Sequence, residues 1–164
     1  MIEVRNLNKS FGNFKSLDNL SLNVKKGSVY GLVGPNGAGK TTFIKNLMGI
    51  YRPDSGSMTV DGEEVYENPA LKQKIIYISD DLFFFTTYSI LDTAKLYADI
   101  YKDWDWETFN KLKEIFKIDV KRKCCRLSKG MQKQVAFWLG ICTKPDLMVL
   151  DEPMDGLDPV MRKN

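Results

Sequence analysis

The sequence contains no histidine and only three cysteines, Cys124, Cys125 and Cys142, among its 164 residues. Because the cysteines are odd in number and lack metal-ligand spacing, we expect reduced thiols, as in cytoplasmic proteins, rather than a zinc site or a disulfide framework. No apolar run approaches the length of a membrane span, and residues 1–5 do not resemble a signal peptide. A net charge of +3 with scattered basic residues indicates no nucleic-acid partner.

A glycine-rich loop is the strongest signal that the sequence does contain. Residues 34–41, Gly-Pro-Asn-Gly-Ala-Gly-Lys-Thr, match the phosphate-binding pattern of two glycines separated by four residues and followed by lysine and threonine. The apolar run 29–33 predicts a short buried strand before the loop, and residues 41–50 predict a helix after it. Strand, loop and helix form the context that this motif requires.

Each residue type in the loop has a chemical task. The glycines allow backbone conformations closed to other residues, so that N–H groups approach phosphate oxygens, and the helix directs its positive end there. Lys40 supplies a cation for the outer phosphates, and the Thr41 hydroxyl can bind magnesium. We therefore expect nucleotide phosphates to bind at Gly34, Pro35, Asn36, Gly37, Ala38, Gly39, Lys40, Thr41 and Thr42.

The remaining pattern predicts strands first and helices later. Asp61-Gly62 is a two-residue hairpin signal. Alternating or continuous apolar residues predict strands at 2–7, 14–24, 57–60, 63–66, 75–78 and 147–150. Ser89 with Asp92 resembles a capping box, Asp103 can cap a second helix and Ser128 a third. Trp104 and Trp106 could form a binding surface, although their spacing favours packing.

Two acids follow the predicted strand at 147–150. Ligands of open α/β sheets bind at the carboxyl ends of the strands, where the phosphate loop also emerges. Asp151 is suited to the magnesium shell and Glu152 to polarising the attacking water. Acids at a strand end are commonly ordinary loop residues, so the prediction depends on their pairing with the upstream phosphate loop. The helix start at 127–132 offers a second anion site, although an ordinary N-cap also explains Ser128.

The order of the phosphate loop, the 127–132 motif, Asp151-Glu152 and residues 155–158 resembles the ATPase subunits of ATP-binding cassette (ABC) transporters. The resemblance spans essentially the whole chain. It implies an α/β fold: a P-loop NTPase (ABC ATPase) core with an antiparallel β subdomain and an inserted helical subdomain. The predicted ABC ATPase domain covers residues 1–164, with the core and β subdomain at 1–80 and 143–164 and the helical subdomain at 81–142.

The resemblance also assigns roles by position. It implies that Phe11 stacks on adenine, that Lys40 and Glu152 are catalytic, and that magnesium is bound by Thr41, Asp80 and Asp151. The signature motif that contacts the nucleotide of a second subunit is implied at Ser128, Lys129, Gly130 and Met131. The loop that crosses the dimer interface is implied at Asp155, Gly156, Leu157 and Asp158.

The resemblance further implies cofactors and partners. The cofactors would be ATP and Mg²⁺, sandwiched between two subunits in a head-to-tail homodimer or heterodimer. The partner would be a transmembrane permease subunit, which would hold the ATPase on the cytoplasmic face of the cell membrane.

Four features depart from the family pattern. Asp80 stands where a glutamine is expected, and Met154 replaces a small hydroxyl residue. Lys129 and Met131 replace glycine and glutamine in the signature, a variant that resembles ATPases of ABC-2-type exporters. The switch histidine of the family is missing. Because only three buried core strands are predicted and a helix opening at Asp158-Pro159 has five residues after it, we interpret the chain as a C-terminally incomplete, N-terminal portion of an ATPase.

Three functional hypotheses remain open. The first is a transporter ATPase, with an ABC-2-type exporter favoured. The second is an ABC-type ATPase of translation or DNA repair, although no tandem cassette, coiled-coil insertion or zinc-binding insertion is visible. The third is an ATP-binding module with little turnover, which can hold for this chain even if the first holds for the intact gene product.

Overall fold

The computed structural model describes residues 1–151. Within them the chain forms two compact units, one of Met1–Lys72 and one that begins at Gln73. The domain boundaries predicted near residues 80 and 142 stay a prediction.

The first unit is built on a four-stranded antiparallel sheet with the order β2-β1-β3-β4. Its strands are β1 (Ile2–Phe11), β2 (Phe14–Val24), β3 (Ser55–Val60) and β4 (Glu63–Glu64). Alternation places Ile2 and Val4 of β1 in the core, as the sequence pattern predicts. The predicted hairpin at Asp61-Gly62 is confirmed, and both residues take positive φ, 51° and 82°.

Helix α1 (Lys40–Leu47) follows the phosphate loop directly, and a single turn, α2 (Pro69–Lys72), closes the unit. The buried face of α1 includes Phe43, Ile44 and Leu47. The helix ends before the predicted residue 50 because Gly49 adopts a φ of 65°, outside the helical region.

The prediction of a buried strand at residues 29–33 is wrong for the described structure. The side chains of Val29 and Val33 are 103% and 95% exposed, and no strand among residues 1–151 pairs with this run. An apolar run becomes a strand only where a neighbour completes its backbone hydrogen bonds, and none of the described strands does so here.

The second unit combines a parallel strand pair with helices. Strands β5 (Ile75–Ile78) and β6 (Leu147–Leu150) are confirmed and pair in register, with Ile75 opposite Leu147 and Ile78 opposite Leu150. The helices are α3 (Ile90–Ile100), α4 (Trp106–Phe116) and α5 (Lys129–Cys142), with a 3₁₀ turn, η1, at Cys124–Arg126.

Two of the three predicted helix caps are confirmed. Ser89 and Asp92 form a reciprocal capping box at α3, and the Ser128 hydroxyl accepts a hydrogen bond from the Met131 N–H at α5. The cap of α4 is Asp105 rather than Asp103, because the Asp105 carboxylate accepts from the backbone N–H groups of the first helical turn.

An aromatic cluster forms the centre of the helical core. The fully buried Trp138 ring stacks on Phe109 with centroids 4.7 Å apart and on Phe116 at 5.7 Å, and its indole N–H donates to the Phe109 carbonyl at 3.0 Å. Trp104 packs against this cluster, which confirms its packing role, while Trp106 lies at its rim and is 41% exposed.

Candidate nucleotide-binding site

The phosphate loop has the backbone that close approach to an anion requires. Gly37 and Gly39 take φ values of 82° and 84°, which only glycine adopts without strain. A Cβ atom at Gly39 would lie 2.4 Å from the Ser16 carbonyl oxygen, so this position excludes every other residue. The loop, called the cradle below, therefore packs its backbone directly against β2 at Gly39, while the space beside Gly37 is open.

Lys40 and Thr41 stand at the end of this cradle, where α1 begins. The Lys40 ammonium donates hydrogen bonds to the carbonyl oxygens of Gly34, at 2.8 Å, and Pro35, at 2.9 Å. It is thus folded over the loop whose N–H groups would bind phosphate. The Thr41 side chain is exposed, and Ser16 donates its hydroxyl to Thr42 Oγ1 at 2.9 Å, which ties β2 to α1.

A depression of about 320 Å³ lies beside the loop within the first unit. Its lining includes Ala38, Gly39 and Lys40 from the loop and Ser16 from β2. The groups that would recognise a magnesium nucleotide belong to the loop and the start of α1, because the glycine backbone, the Lys40 ammonium and the exposed Thr41 hydroxyl are of the types that bind phosphates and their metal.

Phe11 is the last residue of β1 and is 42% exposed. The Lys9 ammonium lies 5.7 Å from its centroid and is itself held at 2.7 Å by Asp54. Asp54 also accepts the Ser10 N–H at 2.6 Å, and these hydrogen bonds, that from Lys9 first, lower the pKa of its carboxyl group. The backbone beside Phe11 is therefore fixed while much of the ring stays accessible.

The parallel register of β5 and β6 brings two predicted metal ligands to one edge of the second unit. Asp80 lies two residues beyond β5, and Asp151 follows β6 and donates its N–H to the Ile78 carbonyl at 3.0 Å. The Tyr77 hydroxyl donates to Asp151 Oδ2 at 3.3 Å. Burial and the nearby Asp151 carboxylate raise the pKa of Tyr77, so this group stays a donor.

Asp80 has a partner that the sequence did not reveal. Lys133, on the second turn of α5, places its ammonium 3.0 Å from Asp80 Oδ1, and its side chain is only 7% exposed. The helical pattern of α5 predicted an inward face at Val135, Ala136, Leu139 and Cys142, of which Ala136 is only partly buried. It carried no signal for a buried cation 53 residues from its acid.

The signature residues begin α5, where Ser128 acts as an ordinary N-cap. This contact leaves both interpretations of Ser128 open, and the roles of Lys129, Gly130 and Met131 stay predictions. Glu152 and residues 155–158 lie outside the described residues. Among residues 1–151, no three side chains of the metal-binding types form a group suited to a metal ion, and no helix is long and apolar enough to span a membrane.

Comparison with known proteins agrees with this geometry. The chain is 36% identical over 162 residues to the ABC transporter ATP-binding protein YtrB of Bacillus subtilis, which covers 99% of this chain and 56% of YtrB. It is 32% identical over 161 residues to the lantibiotic transport ATP-binding protein SrtF of Streptococcus pyogenes, covering 98% of this chain and 69% of SrtF. The chain thus spans little more than half the length of YtrB.

The fold matches a solved dimeric ATP-binding cassette in a post-hydrolysis state bound to ADP and Pi, with a TM-score of 0.85 at 20% identity. The match covers 99% of this chain and 78% of that one. The α/β ABC ATPase fold predicted from the sequence is therefore confirmed. The family described as ABC transporter matches residues 17–155, and the chain belongs to the ABC transporter family.

Proposed function

We propose that this chain is the nucleotide-binding part of an ABC transporter ATPase, which binds Mg²⁺–ATP and hydrolyses it in a dimer to drive a membrane permease. The observation that carries the proposal is the glycine-rich loop, in which Gly37 and Gly39 take positive φ directly before the first turn of α1. Such a backbone is typical of loops that wrap phosphates.

Binding begins with the loop amides and Lys40. The lysine donates to two loop carbonyls, and its flexible four-carbon stem lets the ammonium exchange them for the β- and γ-phosphate oxygens. Phe11 offers its exposed ring to the adenine base. The positive end of α1 adds a favourable field for the phosphates.

Hydrolysis requires a metal shell and a base. Thr41, Asp80 and Asp151 would hold Mg²⁺, which would supply positive charge to offset that of the phosphates. The Tyr77 hydroxyl fixes the orientation of the Asp151 carboxylate through its hydrogen bond. Glu152 would accept a proton from the attacking water.

A second ATPase subunit and a permease complete the proposal. Ser128 to Met131 would contact the nucleotide of the second subunit, and residues 155–158 would lie across the interface. The dimeric state of the similar cassette supports this arrangement. Export is favoured by the Lys-Gly-Met centre of the signature, and SrtF, a relative named for lantibiotic transport, supports a transport role over translation or DNA repair.

The test of nucleotide binding is Lys40→Ala, measured by isothermal titration calorimetry with ATP and Mg²⁺. We expect affinity to fall by about 10- to 100-fold, because a charge-assisted contact to phosphate is lost, while circular dichroism stays unchanged. Lys26→Ala, an exposed lysine before the loop, is the matched control and should bind as the wild type does. Undiminished binding by Lys40→Ala would refute the assignment.

The test of turnover is Glu152→Gln. We expect unchanged ATP affinity, loss of hydrolysis and an accumulated ATP-bound dimer, because a general base acts in the transition state and not in ground-state binding. Wild-type hydrolysis by Glu152→Gln would move the base role to another acid, with Asp155 the next candidate.

A further inference from the structure

The ion pair between Asp80 and Lys133 joins the loop after β5 to helix α5. The ammonium and the carboxylate oxygen are 3.0 Å apart, and the lysine side chain is 7% exposed while that of Asp80 is 47% exposed. Desolvating an ammonium group to this degree is costly unless an opposite charge lies against it. Asp80 therefore compensates a buried cation, and that cation holds Asp80 in one place.

The position of Asp80 matters because a second carboxylate, that of Asp151, lies at the same edge of the strand pair. The register of β5 and β6 places Asp80 and Asp151 beyond the same ends of two adjacent strands. Two carboxylates at one edge repel each other and repel the phosphates of a nucleotide. A fixed ammonium against one of them offsets part of that repulsion.

We infer that Lys133 is a positioning residue for Asp80, one that neutralises this carboxylate and so limits how strongly nucleotide binding depends on magnesium. The inference rests on the proposed function, in which Asp80 lies near the metal. Without Lys133, the full negative charge of Asp80 acts on the nucleotide. This charge weakens the binding of metal-free ATP and favours the binding of the magnesium complex.

The experiment compares ATP dissociation constants measured by calorimetry in EDTA and in saturating Mg²⁺. In Lys133→Met, we expect the ratio of the two constants to rise by roughly fivefold, the size typical of coupling between contacting charges. Lys133→Arg, which keeps the charge, should restore the ratio towards the wild-type value. In the double variant Asp80→Asn with Lys133→Met, the rise should disappear, because the unpaired carboxylate is gone.

Lys111→Met is the matched control. Lys111 lies on α4 and pairs with Glu107 at 2.6 Å, but both side chains are exposed, so its removal should leave the ratio unchanged. If circular dichroism shows that Lys133→Met is unfolded, Lys133→Gln takes its place, and we expect the same rise in the ratio of dissociation constants.

Two outcomes overturn the inference. One is a ratio of ATP dissociation constants in Lys133→Met that equals the ratio in Lys111→Met. The other is a raised ratio that persists when Asp80 is also replaced. Either result with intact wild-type ATP binding leaves the proposed function standing. Absence of ATP binding by the wild type would instead remove the proposed function itself.

Discussion

The ring of Tyr51 meets the ring of Phe11 edge-on, with centroids 5.3 Å apart and planes at 68°. The Lys45 ammonium of α1 lies 5.5 Å from the centroid of Tyr51. A tyrosine that follows the phosphate-loop helix thus supports the aromatic residue proposed to stack on adenine. Edge-to-face contacts of this kind favour one orientation of the ring, in addition to the free energy gained by burying its surface.

Phe11→Ala should weaken ATP binding by about 5- to 100-fold, because stacking of a base on an aromatic ring is lost. Tyr51→Leu should weaken it less, since the stacking ring remains but loses its support. Inorganic triphosphate should bind both variants as it binds the wild type. Phe14→Ala, which removes the exposed ring opposite Phe11 in the hairpin, is the control. Equal losses for ATP and triphosphate would contradict the base-stacking role.

Gly39→Ala should abolish ATP binding, because the new methyl group would meet the Ser16 carbonyl at 2.4 Å and the residue would keep a φ of 84° only under strain. Strain of this kind costs about 1–3 kcal/mol before the clash is counted. Gly31→Ala is the matched control, since nothing lies within 4 Å of its added Cβ. Calorimetry that finds normal ATP affinity in Gly39→Ala would show that the cradle has another shape in solution.

The three cysteines should differ in their reaction with a disulfide reagent. Cys125 is exposed, whereas Cys124 and Cys142 are buried. Burial raises the pKa of both buried thiols, that of Cys142 to about 12, so the reactive thiolate is scarce. We expect one fast-reacting thiol per folded chain, removed by Cys125→Ser, and three after unfolding. Two fast thiols in the folded chain would contradict the described core.

The N-cap of α4 should make stability sensitive to acid. The hydrogen bond from Lys144, followed by those from Thr108, lowers the pKa of the Asp105 carboxyl below its usual 3.8. A group with a depressed pKa contributes stability above its unfolded-state value and loses it as the pH falls below that value.

We therefore expect the wild-type melting temperature to fall more than that of Asp105→Asn between about pH 5 and about pH 3. Asparagine keeps the capping acceptor but does not titrate, so it isolates the charge. Parallel melting curves for the two proteins across this range would show that Asp105 contributes no titrating stability.

Local signals predicted much of this fold. The capping box at Ser89, the N-cap at Ser128, the hairpin at Asp61-Gly62 and the strands β5 and β6 all follow from residues close to each other in sequence. The phosphate loop was predicted in the same way, because its glycines and Lys40 follow closely on one another in the sequence.

What the sequence did not predict depends on distant partners. The run at 29–33 has the composition of a strand, but composition does not supply a neighbouring strand. The cap of α4 was predicted at Asp103, but the cap is Asp105, which also reaches Lys144 at 2.9 Å. The pairing of Asp80 with Lys133 spans 53 residues, beyond any local pattern.

The position of the tryptophans has a practical consequence. The chain contains three, at residues 104, 106 and 138, and none lies in the phosphate loop or in the first unit. Trp138 lies on α5, the helix that Ser128 caps and that carries Lys133, and its buried ring stacks on Phe109 and Phe116 of α4. Tryptophan fluorescence therefore reports on the second unit, and a change in that emission on adding ATP would show that the surroundings of α3, α4 or α5 had altered.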